Sequence, residues 1–151
     1  MPDGGRKKIG IYSRLFNILL VEDNPADVRL AREAMKQSSI PYSLKVVGNG
    51  EEAISYLSER GSDAGTEPPD IIILDLNLPG RGGIEVLKEI KASPDLKRIP
   101  VIILTTSNDE QNIENAYAVH ANCYITKPVD FDRFSEVIKS IVNYWATVVK
   151  L

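Results

Sequence analysis

The chain predicts an α/β protein built on a single doubly wound sheet of five parallel strands, and three observations carry that expectation. Short apolar runs without polar alternation recur at Ile18-Leu-Leu-Val21, Ile71-Ile-Ile-Leu74 and Val101-Ile-Ile-Leu104. Between them the apolar residues change to helical spacing. With 151 residues, 43% of them hydrophobic and 26% charged, the chain suits one globular domain with a real core.

The three runs are too short for buried helices and read as central strands covered on both faces. Ser43 to Gly48 alternates more and reads as an edge strand, and Asn122 to Thr126, around Tyr124-Ile125, makes the fifth. Asn24-Pro25 is a helix start, an N-cap followed by proline at the first helical position, with Val28, Ala31 and Met35 on one face. Glu51 to Glu59 turns Ala53, Ile54 and Leu57 inward, and Ile84 to Ala92 does the same with Leu87 and Ile90. Ser107-x-x-Glu110 reads as a capping box before a helix carrying Ile113, Ala116 and Tyr117. The last helix starts near Asp130 and repeats Phe134, Val137, Ile138, Ile141, Val142 and Trp145 at helical spacing. Strand and helix thus alternate five times, which implies parallel strands joined by right-handed crossovers.

Arg60 to Pro69, rich in glycine, proline and polar residues, reads as a surface loop. Residues 1–16 read as an N-terminal extension whose Ile9, Ile11, Leu15 and Phe16 pack locally, and 17–149 as the folded domain, with no output domain after it. A net charge of −3 argues against a nucleic-acid surface, and Arg6-Lys7-Lys8 reads as a solvated tail. The single cysteine, Cys123, cannot form an internal disulfide. No apolar run reaches the roughly 18 residues of a membrane span, and the N-terminus lacks a signal-peptide core. A cytoplasmic protein is expected.

In an open parallel sheet, ligands bind outside the carboxyl ends of the strands, so the polar residues there matter most. Glu22 and Asp23 follow the first strand, Asp75 the third, Thr105 and Thr106 the fourth, and Lys127-Pro128 the fifth. Three converging carboxylates are costly unless neutralised, and their hard oxygens suit Mg²⁺. A carboxylate at such a cation is a competent nucleophile toward phosphorus. A lysine and a hydroxyl beside it stabilise charge on the phosphoryl oxygens. Each feature alone has a plainer meaning: Glu22-Asp23 as a loop start, Asp75 to Gly80 as a turn, Thr105-Thr106-Ser107 as a cap, Lys127 as a solvated side chain. Their joint placement at the right strand ends favours the chemical reading.

Four blocks resemble those of the receiver domains of two-component response regulators: Leu19 to Asn24, Pro69 to Gly80, Pro100 to Thr106 and Tyr124 to Pro128. The resemblance spans roughly residues 17 to 145. It implies the flavodoxin-like receiver fold, with strand order 2-1-3-4-5. It also implies that Asp75 is the phosphoacceptor, fed by a phosphohistidine on a sensor histidine kinase. Glu22, Asp23, Asp75 and the backbone carbonyl of Asn77 match the ligands of Mg²⁺ or Mn²⁺. Thr105 matches the switch hydroxyl and Lys127 the catalytic lysine, with Thr106 and Pro128 supporting the phosphate site. The Lys127-Pro128 bond is expected to be cis. Tyr124 matches the residue that rotates inward when Thr105 moves toward the phosphoryl group. Asn77 and Ser107 fall where the family tunes self-dephosphorylation.

Glu22 to Leu30, Ser93 to Pro100 and His120 to Lys127 further resemble stand-alone regulators paired with bacteriophytochrome-type kinases. Tyr144, Trp145 and Val148 add apolar surface beyond one buried stripe, which suits either a homodimer through the fourth helix, fifth strand and fifth helix or packing back on the N-terminal extension. Output is expected through contact with a downstream protein, relay to a histidine phosphotransfer partner, or draining of phosphate from the kinase. A haloacid-dehalogenase phosphatase is disfavoured, because there the nucleophile lies on an early strand with a second acid two positions later, whereas position 77 here is asparagine. A flavin carrier of the same fold is disfavoured by Glu22-Asp23, which would repel the flavin phosphate. A scaffold that is never phosphorylated has little reason to hold three carboxylates together.

Overall fold

The computed structural model describes residues 15–62 and 67–148. Five strands, β1 (Phe16–Val21), β2 (Tyr42–Val47), β3 (Ile71–Leu74), β4 (Val101–Thr105) and β5 (Cys123–Thr126), alternate with five helices. These are α1 (Pro25–Lys36), α2 (Gly50–Ser62), α3 (Gly83–Ala92), α4 (Glu110–Ala118) and α5 (Phe131–Val148). All strand pairs are parallel, in the order β2-β1-β3-β4-β5. That is the expected doubly wound receiver fold.

Strand periodicity builds the core. Leu19, Val21, Ile72, Leu74, Val101 and Ile103 face one side, where Ala53 and Leu57 of α2, Val86, Leu87 and Ile90 of α3, and Ala116 of α4 cover them. Phe16, Ile18, Leu20, Ile71, Ile73, Ile102 and Leu104 face the other, beneath Ala31, Ala34 and Met35 of α1 and Phe134, Ile138 and Val142 of α5. Burial on both faces explains the unalternated apolar runs. Edge strand β2 differs, with Ser43 and Lys45 exposed.

Local details depart from expectation at three places. Phe16 is the first residue of β1 and is fully buried, because its amide donates to the Pro41 carbonyl at 2.9 Å and its ring joins the core of α1 and α5. The strand therefore takes in a residue assigned to the extension; Leu15 is 40% exposed, and Ile9 and Ile11 lie outside the described residues. Asp109, not Ser107, caps α4, accepting from the Gln111 amide at 2.9 Å. Ser107 Oγ instead accepts from Asn112 Nδ2 at 2.8 Å, so this short polar stretch forms a turn before the helix. The Lys127–Pro128 bond is trans, not cis. The trans form is the intrinsically preferred one by about 0.5–1 kcal/mol.

The expected α1 start holds, with Asn24 Oδ1 accepting from Ala26 and Asp27. Asp130 likewise caps α5, accepting from Asp132 at 2.8 Å. His120, in a left-handed conformation at φ 70, ends α4. Among the described residues no helix is long and apolar enough to cross a membrane.

Candidate functional site

The carboxyl ends of β1, β3, β4 and β5 carry the site because parallel pairing aligns them. The Asp75 amide donates to the Val21 carbonyl at 3.1 Å, and the Lys127 amide to the Thr105 carbonyl at 2.7 Å. Glycine sharpens one corner. A Cβ on Gly83 would stand 2.5 Å from the Asp75 carbonyl oxygen and 2.6 Å from Leu76 Cα, so glycine lets α3 begin directly against the Asp75 backbone.

Glu22, Asp75, Thr105 and Lys127 are the buried polar side chains among the described residues. Ligand oxygens of Glu22, Asp23 and Asp75 all lie within 4.8 Å of one another, with Asp23 on the exposed side. Lys127 Nζ lies 2.6 Å from Glu22 Oε1, 2.8 Å from Asp27 Oδ2 and 3.1 Å from Asp75 Oδ2. The lysine thus points inward through a trans peptide, drawn by three carboxylates. Asp75 Oδ1 accepts from the Asn77 amide at 3.1 Å. Asn77 Nδ2 reaches Thr105 Oγ1 and Thr106 Oγ1, both at 3.4 Å, joining the loops after β3 and β4.

Burial drives the Glu22 carboxyl up, and the Lys127 hydrogen bond, the Asn24 amide and the Lys127 charge pull it back only partly, so it sits at about 7. Burial acts on Lys127 in the lowering direction, but its bonds to Asp27 and Glu22 and the charges of Glu22 and Asp75 outweigh that. The ammonium is held above the ordinary lysine range.

The sequence-predicted residues therefore converge. Thr105 is fully buried and Thr106 exposed. Thr106, Lys127 and Pro128 line one cleft. Tyr124 is half-buried at the edge of the core, its hydroxyl donating to the Ser107 carbonyl at 2.8 Å. Asp27 was missed. It stands in the first turn of α1, where an acid usually serves only the helix dipole. Its signal was there, one turn beyond the acidic pair and on the rim side of the helix.

This fold and acidic rim define a class: the chain belongs to the response regulator receiver domain family, whose model matches residues 18–139. It is similar to the response regulator Rcp1 of Synechocystis, 43% identical over 134 residues, 89% of this chain and 91% of Rcp1. The phosphorylated cyanobacterial phytochrome response regulator RcpA matches with a TM-score of 0.84 at 45% identity, covering 91% of this chain and 99% of RcpA. Rcp1 in its Mn²⁺-bound form gives 0.81, over 89% of this chain and 97% of Rcp1. The bacteriophytochrome response regulator AtBRR gives 0.67 at 37% identity, over 85% of this chain and 94% of AtBRR.

The protein is therefore a phospho-accepting signalling switch of the two-component type. Receiver domains bind a divalent metal, and the donors here fit one: three hard carboxylate oxygens close together, two of them on buried side chains that a lysine ammonium partly compensates.

Proposed function

We propose that Asp75 accepts a phosphoryl group from a phosphohistidine on a sensor histidine kinase. The observation that carries this is the position of Asp75. It is buried at the end of central strand β3, its Oδ2 lies 3.1 Å from Lys127 Nζ, and its ligand oxygen falls within 4.8 Å of those of Glu22 and Asp23. One carboxylate oxygen of Asp75 attacks phosphorus, the P–N bond to the imidazole breaks, and the departing imidazole takes up a proton. Glu22, Asp23, Asp75 and the Asn77 carbonyl would hold Mg²⁺ or Mn²⁺, which when bound neutralises charge on the phosphoryl oxygens. Lys127 and Thr105 take the remaining phosphoryl oxygens as hydrogen-bond donors. Thr106 and Pro128 frame the entrance. The same groups support phosphorylation by small acyl phosphates and self-dephosphorylation by water.

Thr105 drawn toward the phosphoryl group would leave room for Tyr124 to move inward, changing the face of α4, β5 and α5. Tyr144 and Val148 are more than half exposed on that side, and Trp145 packs edge-on to Tyr144 at 5.2 Å. That apolar strip supports homodimerisation or contact with a downstream protein or a histidine phosphotransfer partner. Similarity to phytochrome regulators supports a phytochrome-type kinase, and with it a cytoplasmic setting.

The test is intact mass after incubation with acetyl phosphate, with and without Mg²⁺, for the wild type and Asp75→Ala. One phosphoryl group on the wild type alone, and only with Mg²⁺, is expected. Equal labelling of Asp75→Ala would refute the assignment.

A further inference from the structure

Lys127 has three N–H donors, and each of three carboxylates stands within reach of one: Glu22, Asp27 and Asp75. Glu22 and Asp75 share a cluster of hard oxygens with Asp23 that Asp27 does not join. Asp27 comes instead from the first turn of α1 and is 21% exposed, against 5% for Lys127. It opens onto a cleft of about 490 Å³, lined also by Asn24, Thr106, Lys127 and Pro128. The lysine is thus shared between two acids at the centre of the rim and one at its side.

We propose that Asp27 is a positioning residue that holds the Lys127 ammonium on the α1 side, so that the lysine can leave Glu22 and Asp75 when a divalent cation and a phosphoryl group enter. The inference rests on the roles given above to Asp75 and Lys127. A buried ammonium keeps as many charged partners as it can reach. Without Asp27, Lys127 has only Glu22 and Asp75, and settles on the oxygens that the cation needs. With Asp27, one strong charge-assisted bond survives the exchange, and the ammonium pivots about it into the cleft. Asp27 therefore acts on the cation through Lys127.

The test is a double-mutant cycle on the full chain, with Mg²⁺ alone as the probe and calorimetric titration as the readout. Thermal unfolding identifies which variants are folded, and Lys127→Met replaces Lys127→Ala if the latter is not. Asp27→Asn is expected to weaken Mg²⁺ binding about five-fold, the low end of ordinary coupling between sites, with Asp27→Glu restoring part of it. In the background lacking Lys127, Asp27→Asn should change the affinity much less. Equal losses in both backgrounds would mean simple removal of negative charge and would overturn the proposal, as would no loss in either. Acetyl phosphate labelling of the wild type separates the two readings. If Asp75 is labelled but the coupling is absent, only the role of Asp27 falls; if the coupling is present but Asp75 is never labelled, the phosphoacceptor assignment falls.

Discussion

Lys127 Nζ lies 2.6 Å from Glu22 Oε1, with each side chain only 5% exposed, so the ammonium occupies the heart of an acidic cluster gathered from β1, β3 and α1. The lysine is a structural counter-charge to these carboxylates and, in the proposed reaction, a donor to the phosphoryl oxygens. Lys127→Ala would leave buried carboxylates without their cation. The expected cost is about 3 kcal/mol in chelator, the scale for breaking a buried pair. Saturating Mg²⁺ should recover much of it by binding the folded state. Urea unfolding in EDTA and in Mg²⁺ measures both; the same loss in each condition would mean that charge compensation is not the lysine's structural role.

The Glu22 carboxyl, at about 7 against an ordinary value of 4.5, makes stability depend on pH. Between those values the folded protein holds a proton that the unfolded chain has released. In chelator this contribution is full below about 4.5 and is lost as pH rises through about 7. Lys127, raised above its usual 10.5, contributes a constant stabilisation across that window, lost only at more alkaline pH. Glu22→Gln should therefore lose less stability than the wild type as pH rises from acid to neutral. Parallel pH profiles for the two proteins would contradict the assignment.

Gly83 sets the distance between α3 and Asp75. Gly83→Ala should destabilise by about 2 kcal/mol, as overpacking does, and slow labelling by acetyl phosphate. Gly48→Ala, where a Cβ meets nothing within 4 Å, should stay within about 0.5 kcal/mol of the wild type. Thermal unfolding and intact mass together check the pair. A Gly83→Ala protein as stable as wild type would show that the contact relaxes freely.

Tyr124 ties β5 to the loop before α4 and to α4 itself, its hydroxyl donating to the Ser107 carbonyl and its amide donating to the Tyr117 hydroxyl at 3.0 Å. If it reports the phosphoryl state, a fluorotyrosine at position 124 should shift its ¹⁹F resonance on phosphorylation, and the shift should vanish in Thr105→Ala. An unchanged resonance would remove Tyr124 from the switch.

Much of this was legible because parallel strands buried on both faces leave uninterrupted apolar runs, and because their carboxyl ends place Glu22, Asp75, Thr105 and Lys127 on one rim. Asn24-Pro25 was equally legible, since its capping is local. What was not legible depends on tertiary contact. Phe16 joins β1 through the Pro41 carbonyl, a pairing that no local pattern announces. Ser107 and Asp109 are both good caps, and only the loop's path to Asn112 decides between them. The trans bond after Lys127 follows no spacing rule. Asp27 has its role only because Lys127, 100 residues away in sequence, reaches it.

Chemical trapping of the phosphorylated wild type tests directly whether Asp75 is the phosphoacceptor. Borohydride reduces an aspartyl phosphate to homoserine, and tandem mass spectrometry of the peptides locates it. Homoserine is expected at position 75, formed only after incubation with acetyl phosphate and Mg²⁺. Homoserine at another carboxylate, or a phosphorylated protein with none at all, would contradict it.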